Sequence, residues 1–368
     1  MKNTFGNSLG ITIFGESHGP YIGVVMDGLA PGIKIDRDVI RHLLDLRKPS
    51  GKISTSRVEE DEFLFASGEY KGYTTGTPLT ILIPNKSQHS SDYDKDEERL
   101  ARPGHADYAA HVKYKGFEDY HGGGHFSGRI TAAVVAAAGV IRPVLLSKGI
   151  VVGTHIYSLG NIKDREFEDL RADIDTLYDR AYPVLDSKAA EDMIALTEKT
   201  ASEGDSVGGV LESVILGLPA GLGEPWFDSM ESVLSHALFS IPGIKGIQFG
   251  AGFDLVNSNG SKFNDPFFLE NGTVKTKTNN NGGINGGITN GMPVTFRLAV
   301  KPTPSIYKEQ DTVVIGKEKE GKLVINGRHD PAIIHRARVV VDAVTMLTVY
   351  DILSSKYGTD FFSGEVKE

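Results

Sequence analysis

Residues 128–140 read Gly-Arg-Ile-Thr-Ala-Ala-Val-Val-Ala-Ala-Ala-Gly-Val, and the alanines and valines leave a helix here no broad polar face. Such a helix is packed on most of its sides, so the rest of the chain has to cover it. A second long apolar helix is predicted from about His335 to Ser354. Around these two, strands and helices interleave without the regular spacing of repeated βαβ units, and no shift of composition marks a boundary. The pattern predicts one α+β domain over residues 1–368, long enough to bury a large core.

Short apolar or alternating runs predict strands at 9–14, 21–27, 78–84, 151–160, 206–217 and 293–300. Asp36 is placed to cap a helix with Val39, Ile40, Leu43 and Leu44 on one face. A second helix runs from Asp186 to Ser202 with Met193, Ile194 and Leu196 inward, and a third covers 228–240. Residues 86–98 are expected to be an exposed loop and 164–182 an acidic surface excursion, while 240–246 lead into a strand followed by a long polar loop to about Gly291. Five glycines fall between Asn279 and Gly291, where the flanking strands argue for a segment inside a domain rather than a linker.

The chain carries no cysteine, which excludes disulfides, thiolate metal sites and thiol nucleophiles. Its formal charge of −9 argues against a nucleic-acid partner, and any anion site has to gather its cations locally. No apolar signal core follows Met1, and the apolar run Ile130–Leu146 is interrupted by Arg142 and Pro143 and reads as too short for a bilayer. The expectation is a cytoplasmic protein with no membrane partner.

The chemistry concentrates in residues 102–129. Arg102-Pro-Gly-His-Ala-Asp107 is followed, after thirteen residues, by His121-Gly-Gly-Gly-His-Phe-Ser-Gly-Arg129. Gly122, Gly123 and Gly124 allow positive φ and close approach, and Ser127 is placed to cap the apolar helix. A glycine loop opening a helix suits an anion, because free N–H groups and the helix dipole point the same way. Read alone, the stretch fits a tight turn equally well. Further glycine- and proline-rich loops, most carrying His, Arg, Lys, Ser or Asp, occur at 14–20, 47–57, 240–246, 282–291, 301–305 and 327–331. Several loops converging on one multiply anionic ligand would look like this.

Two other chemistries are weighed. The Gly-x-Ser-x-Gly matches at 6–10 and 15–19 precede His121-Gly-Gly-Gly124, the reverse of the serine-hydrolase order, which defeats that reading. His105-Ala-Asp107 with His111 has a crude metal-ligand spacing and leaves a hard-metal phosphohydrolase as a weaker alternative. Eleven histidines make such spacing common by chance.

Six blocks, in order, carry a resemblance. Phe14-Gly-Glu-Ser-His-Gly19, Arg102-Pro-Gly-His-Ala-Asp107, Ser240-Ile-Pro-Gly-Ile-Lys-Gly246, Gly282-Gly-Ile-Asn-Gly-Gly-Ile288, Lys301-Pro-Thr-Pro-Ser305 and Gly327-Arg-His-Asp-Pro331 resemble the signature blocks of the chorismate synthase family. Gly204-Asp-Ser-Val-Gly-Gly209 and Gly217-Leu-Pro-Ala-Gly-Leu-Gly-Glu-Pro225 match as well. The resemblance implies a β-α-β sandwich with helices between antiparallel sheets, a homotetramer, and the last step of the shikimate pathway. In that step 5-enolpyruvylshikimate 3-phosphate loses phosphate and a ring proton by anti-1,4-elimination. The reaction requires reduced FMN without net redox change, and NADPH is a possible reductant.

The resemblance also assigns residues. His18 would protonate the departing phosphate. His105 would lie beside the flavin N1–C2 edge as a proton donor to the reduced anion. Asp330 would take part in removing the ring proton by way of flavin N5, with Ser17 and Ser127 as relays. Candidate FMN contacts are His125, Phe126, Ser127, Pro242, Gly243, Gly286, Lys301, Pro302, Thr303, Pro304, Ser305 and Arg328. Candidate substrate cations are Arg47, Lys52, Arg102, Arg129 and Arg336, with Arg57 and Arg328 beside them, since two carboxylates and a phosphate cannot be buried without cations. No metal is implied. The chain departs from the family pattern at Lys52, where arginine is usual, at His125 and Phe126 in place of arginine and serine, and at Gly10 and Ile13. A relative that binds flavin or a shikimate-type anion without turnover is therefore the competing expectation.

Overall fold

The computed structural model describes residues 2–49, 53, 60–86, 98–325 and 329–364. Lys52, Arg57 and Arg328, with most of the expected 86–98 loop, lie outside them. Two five-stranded antiparallel sheets form the outer layers. The first takes β1 (Thr4–Phe5), β2 (Gly10–Gly15), β3 (Tyr21–Asp27), β4 (Leu64–Ser67) and β5 (Leu79–Pro84) in the order β1-β2-β3-β5-β4. The second takes β6 (Val151–Leu159), β7 (Ile162–Lys163), β8 (Gly209–Leu216), β9 (Ile244–Phe249) and β10 (Val294–Val300) in the order β9-β10-β8-β6-β7. Alternation explains the first sheet's inner face: Ile22, Val24 and Met26 of β3 and Leu79, Ile81 and Ile83 of β5 are buried, with polar or half-buried residues between most of them.

The longer helices are α1 (Arg37–Arg47), α2 (Asp107–Tyr114), α3 (Thr131–Ser147), α4 (Leu170–Tyr178), α5 (Ser187–Ser202), α6 (Met230–Leu238) and α7 (Ile334–Tyr357). Helix α3 meets the first sheet, α7 meets the second, and the two pack on each other and on α1 between the sheets. Asp36 caps α1 as expected, its carboxylate accepting the N–H groups of Asp38 (3.0 Å) and Val39 (3.2 Å). Gly139 lets α1 come close: a Cβ there would stand 2.8 Å from Ile40 Cα. Asp351 on α7 accepts N–H groups from Asn7 (3.0 Å), Ser8 (2.7 Å) and Leu9 (2.8 Å), fastening the N-terminal strands to the last helix. One apolar cluster extends from Leu9 to Phe362 and includes side chains of both sheets.

Three expectations need correction. The apolar run continues through Pro143, so Gly128–Ser147 is a continuous 20-residue helical stretch that length alone would let cross a bilayer. Its residues from Ala132 to Ile141 are instead mostly buried against the neighbouring helices and the first sheet. Residues 164–182 are not a detached excursion. Ile174 and Leu177 of α4 are buried, and Ile174 packs with Val151 and Val214 on the face of the second sheet away from the main core. Gly153 makes room there, since a Cβ would come within 2.6 Å of Ile174 Cγ1. The polar stretch before Gly291 contains the hairpin Phe267–Glu270/Thr273–Thr276, and a further hairpin, Gln310–Val313/Glu320–Leu323, had no counterpart in the sequence reading.

Candidate active site

Gly122, Gly123 and Gly124 have φ of 60°, 94° and 53°, a succession that favours glycine. The resulting loop folds onto the 14–19 loop: Gly124 O accepts the Ser17 N–H at 3.1 Å, and His125 Nδ1 donates to Gly15 O at 2.8 Å. Ser17 Oγ donates to His121 O at 3.0 Å and touches His18 Nδ1 at 3.1 Å. His18 rests against Gly122, where a Cβ would overlap its Cε1. Ser127 caps the short turn Gly128–Ile130 that leads into α3, its Oγ accepting the Arg129 N–H at 3.3 Å.

His105 sits two residues before α2, and its partner Asp107 opens that helix, where a carboxylate complements the dipole. Asp107 Oδ1 is 2.8 Å from His105 Nδ1, and Arg102 closes on the same carboxylate through Nε and Nη2, each at 2.7 Å. Burial would raise the Asp107 pKa, but hydrogen bonds from Arg102 and His105 hold it far below the usual carboxylate range. With Nδ1 donating to Asp107, Nε2 is left as the free ring nitrogen, and it faces Gly123, where a Cβ would be 3.5 Å away. Arg102 is therefore turned to Asp107, and it does not line the cavity described next.

A cavity of about 1210 Å³ opens beside these loops. Its wall brings together His105, Ser127, Arg129, Asp330 and Arg336 with Arg47 from the end of α1. Pro242, Gly243 and residues 301–305 line it too, as do His125 and Phe126. Arg47 is buried rather than solvated at its helix end, and burial lowers its pKa against the opposing pull of Asp61. Arg336 pairs with Asp330, and its Nε donates to Arg47 O at 2.9 Å. Lys301 Nζ holds Gly104 O, tying the 301–305 loop to the His105 loop.

Besides Arg102, three candidates stand apart, since Ser17 is not in the cavity wall either. Gly286 is an exposed tip between the short strands Ile284–Asn285 and Ile288–Thr289 and is not in the cavity wall. His18 lies behind Gly122, which does line the cavity, and its ring is 6.5 Å from that of His121. The metal-ligand spacing also fails to converge: His111 turns to Glu118 at 3.2 Å, and among the described residues no three His, Asp or Glu gather to hold a metal.

Sequence reasoning missed four residues. Asp61 is wholly buried between Arg47 and Arg129 and lines the cavity. Asp107, weighed only as a candidate metal ligand, instead orients His105. Lys48 at the end of α1 lines the cavity while paired with Asp45, and Lys245 reaches it from a register shift between Ile244 and Gly246. A bulge of this kind re-aims a side chain and leaves no reliable trace in the sequence.

A layered fold with one large cavity, walled by arginines, lysines and a carboxylate-oriented histidine, defines an enzyme site for a multiply anionic small molecule. The relatives narrow this class. A sequence profile of the family described as "Chorismate synthase" matches residues 9–353. Chorismate synthase of Pyrococcus abyssi is 42% identical over 349 residues, 95% of this chain and 96% of its own length. That of Dehalococcoides mccartyi (strain BAV1) is 44% identical over 355 residues, covering 96% of both. A crystal structure of chorismate synthase superimposes with a TM-score of 0.75 at 26% identity, covering 96% of this chain and 94% of its own. The chain belongs to the chorismate synthase family, lyases of the shikimate pathway that eliminate phosphate from 5-enolpyruvylshikimate 3-phosphate and require reduced FMN.

Proposed function

We propose that the family's elimination is carried out in the cavity walled by His105, Asp330, Arg47, Arg129 and Arg336. The observation that carries the reading is convergence: five groups from four distant segments of the chain face one space. A substrate with two carboxylates and a phosphate needs cations on several sides, and each charged hydrogen bond is worth roughly 1.5–3 kcal/mol. Arg47, Arg129 and Arg336 supply these charges. Apolar side chains such as Ile13, Val134, Ile241 and Val340 complete the wall and exclude water, which strengthens every charge inside it.

The flavin fits this space. The volume exceeds that of an ordinary small-molecule pocket, about 300–1,000 Å³, and suits two ligands together. Thr303 Oγ1 is buried in the wall without a partner among the described residues, as a cofactor-binding hydroxyl would be. Lys301, Thr303, Ser305 and the Pro242–Gly243 turn would hold the cofactor. When bound, reduced FMN supplies electron density for the elimination with no net redox change. His105 Nε2 donates a proton into the cavity while Asp107 fixes the ring. His18, with Ser17 behind it, donates at the Gly122 side, where phosphate departs. Asp330 accepts a proton, its carboxylate oriented by Arg336. Arg102 acts through Asp107 rather than on the substrate.

The main core, which runs from Leu9 to Phe362 and draws on both sheets, supports one domain. Large apolar side chains on the surface, among them Trp226, Phe227, Phe253 and Leu269, support burial between subunits and hence a homotetramer. A cytoplasmic location, and NADPH as reductant, follow from the family reading.

The test is anaerobic phosphate release from 5-enolpyruvylshikimate 3-phosphate with added reduced FMN. Release dependent on the flavin is expected. Flavin or substrate binding without release would favour the altered relative, whose support is that His125 bonds to Gly15 O and Phe126 packs edge-on to Tyr114, so neither supplies the usual cation.

A further inference from the structure

Two neighbouring strands of the second sheet, β8 and β10, pair with Gly209 opposite Val300. The chain entering β8 and the chain leaving β10 consequently lie side by side at the rim of the sheet. Within 301–305 the prolines at 302 and 304 have no N–H to offer, so a regular ladder cannot stitch this loop. The turn at 204–208 holds it instead. Ser206 Oγ donates to Thr303 O at 2.7 Å, and the Tyr307 N–H donates to Gly204 O at 3.0 Å. From the same turn the Val207 N–H donates to Pro331 O at 2.9 Å, one residue past Asp330. Asp205 stiffens the turn itself: Oδ1 accepts the Ser206 N–H at 2.9 Å while Oδ2 pairs with Lys308 Nζ at 2.6 Å. Gly208 leaves no slack, since a Cβ there would stand 2.9 Å from Pro302 N.

One short turn thus fastens two parts of the cavity wall that are far apart in sequence. Thr303, whose carbonyl Ser206 holds, also carries the buried Oγ1 that lines the cavity without a partner among the described residues. A hydrogen bond to a carbonyl fixes that peptide plane, and the plane fixes where the residue's side chain starts. We propose that Ser206 is a positioning residue for the flavin: through Thr303 it sets the cofactor-binding loop, and through the Val207–Pro331 bond its turn keeps that loop in register with Asp330. Ser206 itself does not line the cavity. Proton removal beside a cofactor depends on such spacing, because a misplacement of about 1 Å can cost about 10²-fold in rate. The inference rests on the reading of 301–305 as flavin-binding and goes beyond it by naming what holds that loop in place.

Amide hydrogen exchange on the flavin-free protein and titration with FMN, both without substrate, are the tests. In Ser206→Ala the Thr303 and Ser305 amides should exchange faster while those of β8 stay as they were. FMN should bind roughly 3–10-fold more weakly, the loss expected for one hydrogen bond. Ser206→Thr keeps the donor and should restore both readouts. A merely structural role would instead lower the thermal midpoint with no selective exchange and no change in flavin affinity. Should Ser206→Ala not fold, Ser206→Cys, close in shape and a poor donor, is read in the same way. Unchanged exchange across 301–305 in a folded variant, or FMN bound equally by variant and unaltered chain, overturns the proposal and leaves the flavin reading of the cavity standing. An unaltered chain that binds no FMN overturns that reading, and the proposal with it.

Discussion

The Asp107 carboxylate and the His105 imidazole meet at 2.8 Å, and the two-pronged grip of Arg102 keeps that carboxylate from rotating away. An aspartate in this position selects the ring nitrogen that faces the reaction. Asp107→Asn keeps the shape but removes the acceptor charge, so His105 loses its fixed orientation. The expected result is a fall in kcat of about 10–10³-fold with KM little changed, somewhat less than the roughly 10²–10⁴-fold expected of His105→Ala. Steady-state kinetics under anaerobic conditions check both. Equal kcat in Asp107→Asn and the unaltered enzyme would remove the carboxylate from the mechanism.

Arg336 joins two parts of the wall, pairing with Asp330 and donating to the Arg47 carbonyl at 2.9 Å. Its removal takes a cation from the substrate and a partner from Asp330. Arg336→Ala should lower kcat/KM by roughly 10–10²-fold, the equivalent of one charged hydrogen bond. Arg336→Lys should recover only part of this loss, since an ammonium cannot reproduce the forked contact. Full recovery by lysine would show that charge alone matters at this position.

Much of the sandwich was legible because its signals are local. Asp36 is legible as a cap from the apolar spacing behind it and acts as one, whereas Asp186, expected only as the first residue of its helix, is that helix's cap. Most strands of the two sheets and the two interior helices follow from apolar runs that tertiary packing reinforces, whereas the short strands Thr4–Phe5, Leu64–Ser67 and Ile162–Lys163 fall outside the predicted runs. The acidic composition of residues 164–182 reads as a solvated segment, whereas α4 needs only Ile174 and Leu177 to dock. The hairpin Gln310–Val313/Glu320–Leu323 is largely polar and exposed, so no burial pattern announced it. At the site, the glycine and histidine loops could be found by type, but long-range pairings could not. Nothing in a linear reading says that Arg102 answers Asp107, or that Asp61 stands between arginines of α1 and the start of α3.

Gly139 carries a prediction opposite to helix propensity. In an exposed helix, Gly→Ala stabilises by about 1 kcal/mol. Here the new methyl carbon would stand 2.8 Å from Ile40 Cα, backbone that cannot swing aside, so α1 and α3 must separate. Gly139→Ala should therefore destabilise by about 1–3 kcal/mol, the cost typical of overpacking. Chemical denaturation reads this directly, and a stabilised variant would mean that α1 is not seated against α3 as described. Because Arg47 ends α1, kcat/KM should fall in the same variant.

His155 offers a test through pH, away from the cavity. The imidazole is completely buried, with Nδ1 2.8 Å from Asp164 and Nε2 3.0 Å from Glu212, which also accepts from Arg297 at 2.7 Å. Burial alone would lower the His155 pKa, but its hydrogen bonds to the two carboxylates prevail and raise it above the ordinary value near 6.5. A raised histidine contributes stability that is complete below its unfolded pKa and is lost as pH climbs through the folded one. Asp164 and Glu212 are both shifted down, so their contribution is constant above the usual carboxylate range and disappears only in acid. The window above about pH 6.5 thus isolates the histidine. The thermal midpoint of the unaltered protein should decline as pH rises from 6.5 to 9. His155→Gln should be less stable at pH 6.5, yet its midpoint should hold level or rise over the same interval. Parallel slopes for the two proteins would mean that His155 is neutral in the folded state throughout, and that the second sheet is braced by its carboxylates and Arg297 without an imidazolium between them.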